Sequence, residues 1–145
     1  MRVAKKYNDS SAWAFSKRKD NFPPGTDKCN KYVYDVAKEA GAEALTKGSD
    51  GNMRPPLAGE WASPDVKIPN WEVLAGKDVP QPGDVAAYPL PGHPTYTGHS
   101  GIVTSVDADG TVHAIAAHED VVGPDDKFNR ADGRMVTYRR FTGGR

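Results

Sequence analysis

One cysteine and four histidines are the residues of this sequence that could carry out nucleophilic chemistry. The cysteine is the only thiol among 145 residues, and the histidines all fall between positions 93 and 118. An ionised thiol attacks carbonyl carbon readily, and a neighbouring imidazole can take and return its proton. The composition therefore indicates a Cys–His pair, drawn from Cys29 and one of His93, His99, His113 and His118.

The environment predicted for Cys29 favours a reactive thiol over a buried structural one. Apolar or small residues recur with i, i+3, i+4 spacing from Asp27 to Ala40, which predicts a helix with one buried face. Thr26 or Asp27 can cap its start, and Gly41 can end it. Cys29 then lies in the first turn, where free N–H groups and the helix dipole stabilise a thiolate and could bind an oxyanion.

His99 is the predicted base, and His113 is the predicted orienting group. His99 stands in Gly98–Gly101 just before an apolar run, and the two glycines clear space around the imidazole for another backbone or a substrate. His113 follows fourteen residues later, on the partner strand of a hairpin that an Asp-Gly pair indicates. At that spacing His113 can orient the His99 ring, and His118, just beyond the strand, is an alternative.

Zinc binding is the main rival chemistry, because cysteine and histidine are ligands that zinc prefers. The chain has no CxxC motif, no HExxH motif and no pair of histidines at helical spacing. We therefore expect nucleophilic thiol chemistry that requires no metal and no organic cofactor.

The elements that must position these side chains are predicted from periodicity and turn residues. After the helix comes a long loop over residues 46–82, rich in Gly, Pro and Asn, with a short helix near Ala58–Trp61. An acidic stretch, Glu119–Asp126, is predicted to be a surface loop. A helix followed by antiparallel strands is an α+β arrangement, here in a single domain over residues 1–145. The strands are expected at 84–88, 101–106, 111–117 and 135–141.

The charge balance and the hydropathy pattern argue against two classes of function. The chain has 19 basic and 19 acidic residues, so it lacks the excess of Lys and Arg that binding to nucleic acid requires. No run approaches the ~18 apolar residues of a membrane span, and the N-terminus lacks the apolar region of a secretory signal. We expect that any action outside the cytoplasm depends on delivery by another machine.

Three motifs in order resemble those of the NlpC-type and CHAP-type peptidoglycan hydrolases, which are papain-like cysteine peptidases and amidases. Thr26–Val33 resembles their nucleophile helix, Pro82–Tyr88 their first core strand, and Gly98–Val103 their histidine strand. The resemblance covers roughly residues 24–117. It implies a helix packed on a five- or six-stranded antiparallel sheet, with Cys29 as nucleophile and His99 as base.

The resemblance also bears on the third catalytic position. NlpC-type enzymes commonly have histidine there, whereas CHAP-type enzymes place an acid or amide where this chain has Ala116. This difference favours His113 and leaves open His118, Glu119 and Asp120. The separation of seventy residues between nucleophile and base exceeds that of compact members, and the surplus lies in the loop with Trp61 and Trp71, as a specificity insertion would.

The function that the resemblance implies is hydrolysis of amide bonds in peptidoglycan stem peptides. In its small size and missing export signal, the chain resembles the amidase effectors that are injected through type VI secretion. We therefore expect that it acts in the periplasm of a target bacterium and that a cognate immunity protein inhibits it. An excised toxin domain of a larger protein fits equally. The alternatives are an acyltransferase or protein-modifying enzyme with the same Cys–His pair, and an inactive binding domain.

Overall fold

The computed structural model of the chain describes residues 5–8, 10–13, 29–47, 51–75, 78–90, 98–117, 122–129 and 135–143. Within them, helix α1 spans Cys29–Glu39 and helix α2 spans Ala58–Ala62. Strands β1 to β8 are Thr46–Lys47, Met53–Arg54, Trp71–Val73, Val85–Pro89, Gly98–Val106, Val112–Ala117, Val122–Asp125 and Thr137–Phe141. The predicted α+β class is confirmed.

A six-stranded antiparallel sheet carries most of the described chain. Its order is β3-β8-β4-β5-β6-β7, and β1 pairs with β2 in a separate two-stranded ladder. The four predicted strands and the short helix are confirmed, with shifts of up to three residues at the strand ends. The prediction of a surface loop for Glu119–Asp126 is wrong for Val122–Asp125, which form edge strand β7, and Asp125 is buried.

Helix α1 forms because its apolar residues fall on one face and a glycine follows it. Its buried apolar side chains share one cluster with residues of β4, β5 and β6. Gly41 has a φ of 85°, and the Ala42 amide donates 2.7 Å to the Ala37 carbonyl, which closes the C-terminus as predicted. The predicted capping residues Thr26 and Asp27 lie outside the described part. The α1 side chains in the cluster are Tyr32, Val33, Val36 and Ala37.

The opposite face of the sheet has its own apolar layer. The segment that follows β7 folds back over this face. Its Phe128 is completely buried and packs in one cluster with Tyr88 and Tyr138. Each face of the sheet is therefore covered, α1 on one and the segment after β7 on the other. Because neighbouring residues of a strand point to opposite faces, the two layers receive alternate side chains of β4 and β5.

A buried arginine connects the long loop over residues 46–82, here called the insertion, to the sheet. The Arg139 side chain on β8 is 1% exposed and donates to four backbone carbonyls at and just after the end of α2. These are carbonyls that a helix end leaves without partners, so the guanidinium caps α2. Burial lowers the pKa of Arg139. The carbonyls belong to Glu60, Trp61, Ser63 and Val66.

Candidate active site

A half-buried histidine in contact with a buried carboxylate is the centre of the candidate site. His99, on β5, places Nε2 2.7 Å from Oδ2 of Asp125 at the end of β7. The side chains are 15% and 1% exposed, respectively. An ionised carboxylate only accepts hydrogen bonds, so Nε2 of the neutral ring carries the proton and donates it to Asp125. The contact therefore selects one tautomer of His99.

Aromatic rings fix the plane of the His99 imidazole. Phe128 stacks on it with ring centroids 5.2 Å apart and an interplanar angle of 7°, and Tyr88 lies 5.7 Å away at 57°. Phe128 fits because residue 101 is glycine: a Cβ there would come within 2.9 Å of the Phe128 ring. The second glycine of the Gly98–Gly101 motif therefore admits the ring that packs on the histidine.

The first glycine of the motif admits backbone. A Cβ on Gly98 would lie 2.6 Å from the Tyr88 carbonyl oxygen and 3.2 Å from the Gly59 nitrogen in α2. Contacts under 3.0 Å are not tolerated by a side chain, so the approach requires glycine. The space predicted around His99 is thus filled on one side by the insertion and on the other by the chain after β7.

Asp125 reaches His99 from two strands away. Asp125 pairs with Ala114 of β6, and β6 lies between β7 and β5 in the sheet. Two consecutive residues of β6 on this face, Ala114 and Ala116, are small, so they leave room for the contact to pass over the strand. Asp125 Oδ1 accepts from the Lys127 amide at 2.9 Å, which holds the carboxylate in place.

His113 lies elsewhere on the hairpin. It pairs with Ser105, six residues along β5 from His99, after a bulge between Val103 and Ser105. Six residues of strand span about 20 Å, so the register keeps the two imidazoles apart. The structure therefore does not bring His113 to His99, and the carboxylate that contacts His99 is that of Asp125.

His113 instead joins two exposed carboxylates. Its Nε2 lies 2.8 Å from Asp107 Oδ2 and its Nδ1 lies 3.0 Å from Asp126 Oδ1. The hydrogen bonds to Asp107 and then to Asp126 raise the pKa of His113, because both favour the doubly protonated ring. About a third of the side chain is exposed. This group links the β5–β6 turn to the residue after Asp125.

The nucleophile proposed from the sequence begins helix α1. The structure gives the helical backbone of Cys29, and its side chain lies outside the described part. Its neighbour Asn30 is buried and donates from Nδ2 to the Pro56 carbonyl at 3.3 Å. The same short segment, Pro56–Gly59, packs its backbone against Gly98. The first turn of α1 and the start of β5 therefore contact one segment of four residues.

The ring of His99 faces away from the layer that α1 covers. His99 pairs with Tyr88, which belongs to the second apolar layer, whereas Ala87 and Ile102 belong to the layer of α1. The insertion occupies the end of β5 nearest the start of α1.

The Pro-Gly-Asp motif has a structural role in this chain. Asp84 is 2% exposed and accepts two hydrogen bonds from Arg140 on β8, at 3.1 and 2.9 Å. It also accepts from the Gln81 amide at 2.7 Å. The carboxylate thus holds the turn before β4 and ties β4 to β8.

The remaining predicted site residues lie outside the described part. These are His93, His118, Glu119 and Asp120. Among the residues that the structure does describe, no group of three or more His, Cys, Asp or Glu side chains is arranged to hold a metal ion. In the same ranges, no helix is long and apolar enough to cross a membrane.

Asp125 is not predicted from the sequence, because the surrounding acidic residues suggest a solvated loop. The signal that could have found it is the apolar pair Val121-Val122, which precedes Gly-Pro and marks a short strand ending at Asp125. Phe128 was missed for the same reason. Both residues follow the part of the chain in which the resemblance was recognised.

The fold and the site define an α+β domain with a histidine that contacts a buried carboxylate on an antiparallel sheet. The model of the CHAP domain family matches residues 17–118, more than half of the chain. The chain therefore belongs to the CHAP domain family of peptidoglycan hydrolases. The matched residues include Cys29 and His99 and end before Asp125. No curated protein matches this chain.

Proposed function

We propose that this chain is a cysteine amidase or endopeptidase that hydrolyses amide bonds in peptidoglycan stem peptides. The observation that carries the proposal is the hydrogen bond between His99 and the buried carboxylate of Asp125, in a chain whose family is typically cysteine- and histidine-dependent. A buried carboxylate that fixes one imidazole tautomer is what a base for a thiol nucleophile needs. Cys29 is the nucleophile, since the chain contains no other thiol.

The proposed reaction is acyl transfer through a thioester. The thiolate of Cys29 attacks the scissile carbonyl carbon, and backbone N–H groups at the start of α1 stabilise the oxyanion. His99 gives a proton to the leaving amine from Nδ1, because Nε2 faces Asp125. Water then attacks the thioester with the imidazole as base, and the acid is released. No metal or organic cofactor enters these steps.

Asp125 has two roles in this proposal. It holds the ring so that Nδ1 is directed toward the nucleophile, and its charge stabilises the imidazolium that forms when the thiol ionises. Support for these roles comes from its distance, its burial and the Lys127 amide that fixes its second oxygen. The proposed triad is therefore Cys29, His99 and Asp125, in place of the expected Cys29, His99 and His113.

Digestion of purified peptidoglycan followed by mass spectrometry of the muropeptides tests the activity. Wild-type protein should release cleaved stem peptides, and Cys29→Ala should release none while keeping its thermal unfolding midpoint. EDTA should leave the rate unchanged, since no metal takes part. An active Cys29→Ala protein, or loss of activity on chelation, would reject the thiol mechanism in favour of zinc. A transferred acyl group in the products would identify an acyltransferase instead.

The proposed setting is the periplasm of a target bacterium, with delivery by type VI secretion and a cognate immunity protein as inhibitor. This part of the proposal is supported by the resemblance to amidase effectors. Directing the chain to the periplasm of a Gram-negative host should cause lysis, and the same chain kept in the cytoplasm should not. Cys29→Ala is the control in both compartments. Equal toxicity in the two compartments would contradict a cell-wall target.

A further inference from the structure

We propose that Asn129 is a positioning residue that holds Asp125 and Phe128 against His99. This inference rests on the proposed function, because it concerns the group that orients the proposed base. Asn129 does not contact His99 in any described hydrogen bond. It acts through the stretch Asp125–Asn129, here called the return segment, which leaves the sheet at the end of β7 and comes back to it at Asn129.

The side-chain amide of Asn129 pairs with β6 as a strand backbone would. Its Oδ1 accepts from the Val112 amide at 2.8 Å, and its Nδ2 donates to the Val112 carbonyl at 3.0 Å. Nδ2 also donates to the Asp126 carbonyl at 2.9 Å. One side chain thus satisfies both backbone groups of a β6 residue and fastens the return segment to itself.

The two ends of the return segment are therefore attached to the same strand. At the first end Asp125 pairs with Ala114, and at the second Asn129 pairs with Val112, two residues along β6. The residues between these anchors form a short arch over the sheet. This arch supplies the Phe128 ring, and the anchor that precedes it, Asp125, supplies the carboxylate.

Other contacts make the arch rigid and leave Asn129 as its closing link. The Lys127 amide donates to Asp125, and the Tyr138 hydroxyl donates to the Phe128 carbonyl. Without the amide of Asn129, the Val112 backbone would lose both side-chain contacts. The arch would then be held on β6 by the Asp125 end and by the exposed contact of Asp126 with His113. Displacement of a positioning group by about 1 Å can lower a catalytic rate by orders of magnitude.

The test is the pH dependence of Cys29 alkylation by iodoacetamide. The chain has a single cysteine, so every alkylation event reports that thiol. A well-placed Asp125 stabilises the imidazolium and therefore the thiolate, which lowers the pH at which alkylation becomes fast. Asp125→Ala should raise the midpoint by about one pH unit. Asn129→Ala should raise it by about half of that amount.

The double variant separates positioning from general loosening of the fold. If Asn129 acts through Asp125, the variant Asp125→Ala/Asn129→Ala should have the same midpoint as Asp125→Ala alone. Thr104→Val is the matched control, because it removes a side-chain hydrogen bond to the His113 carbonyl on the same hairpin without touching the return segment. Its midpoint should equal that of wild type.

An Asn129→Ala midpoint equal to that of wild type would overturn the inference, and so would additive shifts in the double variant. If Asn129→Ala fails to fold, Asn129→Asp provides the same test. This variant keeps the oxygen that accepts from the Val112 amide and loses the two hydrogen bonds that Nδ2 donates. A midpoint between those of wild type and Asp125→Ala supports the inference. Release of muropeptides by wild type is scored separately. If wild type releases no muropeptides but the alkylation midpoints shift as expected, peptidoglycan is rejected as the substrate and the positioning role of Asn129 is retained.

Discussion

Two histidines of this chain each contact carboxylates at 3.0 Å or less, and their surroundings differ. His99 stacks on Phe128 and contacts the buried carboxylate of Asp125, with one tautomer selected. His113 lies between Asp107 and Asp126 at the open end of the hairpin, with both ring nitrogens directed at carboxylates. The ring of His99 has one carboxylate on Nε2, whereas the ring of His113 links two carboxylates through both nitrogens.

The comparison shows that residue types alone do not define a catalytic pair. Water competes for the hydrogen bonds of an exposed carboxylate and screens its charge, so the carboxylate contributes little to the position of its partner. A buried carboxylate holds its partner in a single geometry. The sequence places His113 on the strand next to that of His99, as an orienting role requires. In the register of the two strands, however, His113 pairs with Ser105, about 20 Å along β5 from His99. Burial and register together separate the two histidines.

The largest expected effect comes from replacing each histidine by glutamine. His99→Gln should lower kcat/KM for muropeptide release by about 10³-fold, because the base is removed. His113→Gln should keep activity within about twofold of wild type, since an exposed link between acids contributes little. Steady-state assays on soluble stem-peptide fragments measure both. Equal losses in the two variants would mean that His113 belongs to the site after all.

The next effect concerns the two neighbouring carboxylates. Asp125→Asn keeps an oxygen that accepts from Nε2 and loses the charge, so kcat should fall by about tenfold; Asp125→Ala loses both and should fall by about 10²-fold. Asp126→Asn should change kcat by no more than about twofold. An unchanged kcat in Asp125→Ala, with Asp126→Asn impaired, would reverse the assignment of the two acids.

The smallest effect is a pH dependence of stability at His113. Its pKa is raised in the folded chain, first by Asp107 and then by Asp126, so the folded state binds a proton more tightly than the unfolded state. The resulting stabilisation is fully present below the unfolded pKa of about 6.5 and is lost as pH rises through the folded value.

Thermal unfolding just below and well above that range measures this contribution. The difference in Tm between the two conditions should shrink in His113→Gln, by an amount on the order of 1–2 °C, because the site is exposed. Thr104→Val serves as the control from the same hairpin. A Tm difference that is the same in His113→Gln and in wild type would show that the link contributes nothing measurable.

Local signals were enough to predict the elements that carry Cys29 and His99. Helical periodicity and Gly41 predicted α1, and an Asp-Gly turn between apolar runs predicted the β5–β6 hairpin; both are confirmed. These features depend on residues close together in the chain. The motifs around Cys29 and His99 were likewise sufficient to recognise the family, which the match over residues 17–118 confirms.

What the sequence by itself determined is the class of fold, the family and the strand of the proposed base. The partner of that base was decided only by tertiary structure. Asp125 reaches His99 across β6 because Ala114 and Ala116 are small, and because the chain after β7 returns over the sheet. A contact between strands that are not neighbours depends on sheet order and register, and neither can be read from an acidic stretch that locally resembles a solvated loop.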